Sequence, residues 1–237
     1  MRTTNIVKAA GALALAIGLS ALTANAGQGN QGNPGVIPPQ ASSHAQTYGE
    51  WSAAWWQWVL SVPADHNPAL DLTGADAAQG QTGSVWFLAG VFGSPGAVER
   101  TITIPPGKAL FFPLINFVWI STVPEDPQTA EGIREIIKPP ADAATDLECE
   151  VDGVPLKNLA AYRTESPLFD VTLPEGDIFG AGPATYGPSM DQGYYLMLAP
   201  LSAGKHTIHF KGNMPATIPP YWTPFSVEVT YHITVKR

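Results

Sequence analysis

The chain of 237 residues carries 20 Asp and Glu against 12 Lys and Arg, a formal net charge of −8, and is 45% hydrophobic. That acidic balance argues against nucleic acid and anionic membrane surfaces as partners. One cysteine, Cys149, excludes an internal disulfide, so stability has to come from a hydrophobic core.

Arg2 and Lys8, the apolar run from Ala9 to Leu22 and the small residues Ala24-Asn25-Ala26 predict a secretory signal peptide over residues 1–26, with the mature chain starting at Gly27. Its removal takes two basic residues and no acidic ones, leaving ten against 20 and a net charge of −10. No later stretch reaches the roughly 18 apolar residues of a membrane span, and no cysteine follows the cleavage site to take lipid. The expectation is an exported, soluble protein of a bacterial periplasm or the extracellular medium, with no transmembrane span in the mature protein. Residues 27–46 are rich in Gly, Gln, Asn, Pro and Ser without periodicity and read as a disordered leader. The Gly-x-Gly-x-x-Gly at Gly27, Gly29 and Gly32 has no strand before it and no helix after it, so it reads as chance. Residues 47–237 show neither an internal repeat nor a second linker and read as one domain.

Thr47 followed three residues later by Glu50 is a capping box, and Pro63 is a stop, so a helix is expected between them. At about 100° per residue, Tyr48, Trp51, Trp55, Trp58 and Val62 share one stripe, Trp56 and Leu60 widen it, and Glu50, Gln57 and Ser61 gather opposite. Each buried indole removes on the order of 150–250 Å² from water, which makes this helix an anchor for a sheet. The other use of the indoles is a platform for sugar rings, and it needs a ring such as Trp56, at the edge of the stripe, to face solvent.

Period-two segments punctuated by Gly and Pro follow. Strands are expected at Ser84–Gly90, Arg100–Ile104, Leu147–Val151, Val154–Leu156 and Leu168–Leu173, with a tight turn at Asp152-Gly153. The almost continuously apolar run Ala109–Ile120, broken by Pro113 and Asn116, suits a central strand covered on both faces with a bulge or bend at the proline. A second helix is expected from about Gln128 to Ile137, ended by Pro139-Pro140. Tyr194–Ala199 and Lys205–Lys211 read as a hairpin around residues 201–204, and Phe225–Val235 as a half-buried antiparallel strand. Cys149 alternates with Leu147 and Val151, the pattern of a small buried hydrophobe. Eight or nine short strands predict a mainly β fold, an antiparallel β-sandwich or jelly roll with one Trp-rich N-terminal helix packed on it. A closed barrel is the alternative. The irregular segments 62–81 and 174–192 are the natural places for a site.

Common hydrolase, zinc and phosphate-binding motifs are absent. The densest polar constellation runs from Asp65 through His66, Asn67, Asp71, Thr73 and Asp76 to Gln81. It could hold Ca²⁺ through oxygens or pair a carboxylate with His66 for acid–base work, while the same residue types also make ordinary turns. His206 and His209 fall on opposite faces of their strand, so they cannot chelate together. His209 could instead approach His232 and Glu228 as a two-histidine, one-carboxylate transition-metal site if their strands are neighbours. No cofactor is predicted beyond these two metal options.

The segments Tyr48-Gly49-Glu50-Trp51 with Trp55-Trp56-Gln57-Trp58, Asn67-Pro68 with Asp71, Gly80-Gln81-Thr82-Gly83-Ser84-Val85-Trp86-Phe87-Leu88-Ala89-Gly90 and Pro106-Gly107-Lys108-Ala109-Leu110-Phe111-Phe112-Pro113 resemble a group of exported bacterial proteins of unknown function. The resemblance is close from Tyr48 to Pro113 and loose beyond. Members of that group carry cysteines in the stretch corresponding to Ala77-Ala78 and near Ile102. This chain has none there, so any crosslink they imply is missing. The resemblance implies export and a single unit, and no mechanism. It points to Glu50, Gln57, Asn67, Asp71 and Gln81 as shared site residues, or as caps and buttresses of the helix.

The leading expectation is a non-catalytic secreted protein that binds a small molecule or glycan, or belongs to the cell envelope, through Trp56, Trp86 and the polar residues above. The alternative is a hydrolase or metal-dependent enzyme in the 65–81 loop, with Asp71 or His66 as base and Trp56 or Trp86 holding substrate. A purely structural surface protein is the third. No motif names a protein partner.

Overall fold

Thr47 opens the first helix, as its capping box requires. The computed structural model describes residues 33, 35–41, 45–93, 96–215 and 224–237. The expected signal peptide and the glycine motif at Gly27, Gly29 and Gly32 lie outside them. Helix α1 spans Tyr48–Leu60; Glu50 N donates to Thr47 Oγ1 at 3.2 Å, and Thr47 N donates to Glu50 Oε2 at 2.7 Å. The buried surface is wider than one stripe, since Ser52, Ala53 and Val59 are buried with Trp55, Trp56 and Trp58. The helix is covered twice. Strands of the first sheet lie against it, and the loop that follows folds back on it, taking the Trp58 indole N–H on Gln79 O at 2.8 Å.

The first sheet is organised by β9, Ala184–Leu198. One edge pairs with β4, Ala109–Ile120, in antiparallel register from Leu110↔Leu198 to Ile120↔Ser189. The other edge takes β8 (Phe169–Leu173), β7 (Arg163–Glu165) and β1 (Val36–Ile37). Strand β2, Val85–Phe87, runs parallel to β4 on its far side. The bulge expected at Pro113 falls between Pro113 and Ile115. Both faces of β4 are covered, which is why its sequence does not alternate. Phe111 stacks on Tyr195 and meets Tyr48 and Trp51 of α1, while Phe112 packs on Phe210 of the second sheet.

The second sheet has the order β3-β11-β10-β5-β6, with β3 at Val98–Ile104, β11 at Phe225–Val235, β10 at Gly204–Met214, β5 at Thr145–Val151 and β6 at Val154–Pro155. The sheets approach closely at Gly212, where a Cβ would sit 2.7 Å from Ile115 Cβ, so only glycine fits. Helix α2, Ala130–Asp142, lies against β4 and β9. Arg134 grips Glu165 at 2.8–3.1 Å and ties that helix to β7. The fold is therefore mainly β, two sheets with a Trp-rich helix. Among the described residues no helix is long and apolar enough to cross a membrane.

Several local expectations change. The supposed hairpin of 194–199 with 205–211 does not form, because both edges of β9 are taken at Leu198, by Leu110 and Val36, and β10 pairs with β5 and β11 in the other sheet. Strand β11 is antiparallel only to β10; its other edge is parallel to β3. Strand β9 begins ten residues early, inside the segment read as irregular, and its polar Asp191 and Gln192 are buried. Helix α2 runs through Pro139 and Pro140, whose fixed φ suits a helix. Within the expected leader, Val36 and Ile37 are ordered strand, held where Tyr48 OH donates to Ile37 O at 2.6 Å and accepts from Met197 N at 2.9 Å. Cys149 is buried, and burial pushes its thiol up to about 12, the state of an inert core residue.

Candidate functional site

The polar residues singled out in the sequence are turned onto their own backbone. Asn67 donates through Nδ2 to Val59 O at 2.7 Å and Val62 O at 2.9 Å, and accepts from Ala69 N at 3.0 Å, closing the end of α1. Gln81 donates to Ala77 O and Phe87 O and accepts from Phe87 N at 3.0 Å, which fixes the start of β2. Asp71 accepts from Thr73 N, Thr73 Oγ1 and Asp76 N at 2.7–2.9 Å. Partial burial pushes its carboxyl up, but the N–H groups of Asp76 and Thr73 outweigh that and hold it below its ordinary value. His66 reaches Asp76 Oδ1 at 3.3 Å. Glu50 is spent on the cap, and Gln57 donates to Asp170 O at 3.0 Å. An Asp71→Ala variant is therefore expected to lose about 1–3 kcal/mol of stability, the worth of charge-assisted bonds. An unchanged denaturant midpoint would refute this buttressing role.

The His209, Glu228 and His232 triad does not assemble. In the antiparallel register His209 stands opposite Thr230, which places Glu228 and His232 on diagonals in opposite directions. His209 bonds Thr230 Oγ1 at 3.1 Å, while His232 faces Glu99 across β3. Among the described residues no three His, Cys, Asp or Glu side chains gather to hold a metal. The alternative use of Trp56 as a platform gains no support, because that ring is only 3% exposed, and Trp86 is 6% exposed.

A concave site among the described residues lies elsewhere. Beyond Phe111 the edge of β4 is no longer covered by β2, and there it borders a cavity of about 860 Å³. Trp55 and Trp56 of α1, Phe92, Trp119 and Phe225 form its walls, and Asn116 supplies a polar group. Phe179, 56% exposed, stands among the lining residues on a loop pinned by Asp177, which accepts from Phe179 N and Gly182 N at 2.8 Å.

Behind Asn116 and Trp56 sits a buried polar network. Asn116 Nδ2 donates to Tyr195 OH at 2.8 Å, and Tyr195 OH donates to Asp191 Oδ2 at 2.5 Å. Ser52 Oγ lies 2.7 Å from Asp191 Oδ1 and 2.9 Å from Gly49 O, so its one proton cannot serve both acceptors. Ser166 ties in the backbone, accepting from Asp191 N and donating its own N–H to Asp191 O. Burial pushes the Asp191 carboxyl up to about 6, against the pull of Tyr195, Ser52, Trp56 and Ser166. The Trp56 indole nitrogen favours the charged carboxylate from close by, yet it meets no acceptor with hydrogen-bond geometry. Burial and the neighbouring Asp191 raise the Tyr195 phenol well above its ordinary value. A shifted carboxyl beside a cleft is the physical mark of a candidate site.

Asp191, Tyr195, Ser52 and Ser166 carry no sequence motif. The one visible signal was Asn116, a polar residue inside an apolar strand.

No family model matches the chain, and no curated protein matches it. Solved structures similar over part of it include a cysteine protease inhibitor from Entamoeba histolytica, at 14% identity and a TM-score of 0.20 over 59% of this chain and 86% of that one. Amebosin is similar at 13% identity and a TM-score of 0.18, over 59% of this chain and 96% of its own.

Proposed function

We propose that the chain is an exported, non-catalytic β-sandwich protein that holds a small apolar ligand in the cavity between α1 and the open edge of β4. The observation that carries this reading is the composition of the walls: seven of the seventeen lining residues are aromatic, and Asn116 and Ser226 are the polar side chains among them. A cavity of this size and character suits a drug-sized apolar molecule oriented by few polar contacts. A glycan would need exposed aromatic faces flanked by many hydrogen-bonding groups, and Trp55, Trp56 and Trp58 of α1 are almost wholly buried. The enzyme reading in the 65–81 loop gains no support from side chains already committed to turns. Export rests on the sequence of residues 1–26.

The test is the melting temperature and tryptophan fluorescence of the full chain with 2-naphthol, decanoate and maltohexaose. The apolar molecules are expected to raise the melting temperature, since a ligand at 100 times its Kd adds about 2.7 kcal/mol, and to quench the cavity indoles. Ser226→Trp, which fills the cavity, should abolish both effects. A shift with maltohexaose alone would overturn the reading.

A further inference from the structure

Asn116 is the polar group that reaches both the cavity and the buried network, and the network fixes which way its amide points. Tyr195 OH has one proton. It gives that proton to Asp191 Oδ2 at 2.5 Å, so towards Asn116 it can only accept, and it does so from Nδ2 at 2.8 Å. This holds when Asp191 is ionised and when its proton sits on Oδ1 facing Ser52, since Oδ2 remains an acceptor in both states. The amide oxygen is thereby turned away from the pair. Among the described residues Asn116 Oδ1 takes no hydrogen bond.

Resting on the cavity as the ligand site, we infer that its occupant is an apolar, aromatic molecule carrying a hydrogen-bond donor, a hydroxyl or ring N–H, with Asn116 Oδ1 as the acceptor. The aromatic walls select an aromatic body, with the part-exposed rings of Phe92, Trp119 and Phe225 set over the more deeply buried Trp55 and Trp56. The amide oxygen selects the donor. A ligand without one leaves a polar atom unpaired among rings, which a site built around a hydrogen bond penalises more than it rewards the bond itself. Tyr195 and Asp191 are positioning residues that hold the amide in that sense. Among the described residues the second N–H of the amide has no partner either, so a carbonyl beside the donor would add to the match.

Indole and benzothiophene test this directly, being bicyclic rings of nearly the same shape with and without an N–H. Isothermal titration of the full chain is expected to show indole binding at least about tenfold tighter, one neutral hydrogen bond setting the lower bound. Asn116→Leu should bring indole down to the affinity of benzothiophene, and Tyr195→Phe, which frees the amide to turn, should narrow the gap. Equal binding of the two rings to the wild type would overturn the donor inference and leave the cavity reading standing. Binding of neither ring would overturn both. A preference that survives in Asn116→Leu would show that the donor is read elsewhere, and would also overturn the inference.

Discussion

Trp55→Ala is expected to remove about 3–5 kcal/mol of stability, the usual range for deleting a large aromatic side chain from a core. The ring is 1% exposed and packs edge-on against Trp56 and Trp58, so the surroundings have little freedom to close over the space. Its indole N–H also donates to Leu88 O at 3.0 Å. The truncation therefore leaves a buried carbonyl unpaired where the chain leaves β2. Trp55 has two roles: it holds α1 to the first sheet, and it forms part of the cavity wall. Since domains of this kind keep only about 5–15 kcal/mol in total, such a loss should be plain in urea unfolding. Gln57→Ala, on the solvent side of the same helix, is expected to cost less than about 1 kcal/mol. If the two variants unfolded at the same urea concentration, α1 would not be the anchor of the first sheet.

The parts of the fold that could be read from the sequence are those where one local rule dominates. The capping box at Thr47 and Glu50, the apolar run of β4 with its bulge at Pro113, and the turn at Asp152-Gly153 each depend on residues close together in the chain. What stayed hidden depends on partners far away. The alternation of β11 says that one face is buried and nothing about the direction of the strand beside it, so the parallel pairing with β3 left no trace. Residues 184–192 read as a loop because Gly187, Pro188 and Asp191 are turn formers and Gln192 is polar. They lie in a strand because Ser52, Ser166, Tyr195 and Arg163 satisfy the polar ones. The candidate site was missed for the same reason. Density of polar residues along the chain pointed to 65–81, where Asn67 and Gln81 serve the backbone, whereas the network around Asp191 is assembled from α1, β4 and β9 and is dense only in space.

Asp191 gives the protein an unusual dependence on pH. Burial lifts its carboxyl from 3.8 to about 6 in the folded chain, and none of the ion pairs among the described residues involves it. A group whose folded value lies above its unfolded one binds protons more tightly when folded. Its contribution is therefore fully present below about pH 4 and is lost as the pH rises through about 6. A rise of that size corresponds to roughly 3 kcal/mol. The carboxylates of Asp71, Asp152 and Asp177 work the other way: their folded values are lowered, so they stabilise above their ordinary range and fail as the pH falls below it. His206 is raised through Asp152 against its own burial, and its contribution is lost above about pH 6.5. Glu50, held low by its bonds to Thr47, opposes this only up to about pH 4.5, so between about pH 5 and 6 the slope belongs to Asp191 and unfolding free energy is expected to fall across that window. Asp191→Asn should flatten it while keeping the fold, because the amide nitrogen can donate to Ser52 Oγ where the protonated carboxyl would, and the amide oxygen still accepts from Tyr195. Urea titrations at pH 4, 5 and 6 on both proteins decide the matter. A slope equally steep in the variant would mean that the carboxyl is not the group that titrates.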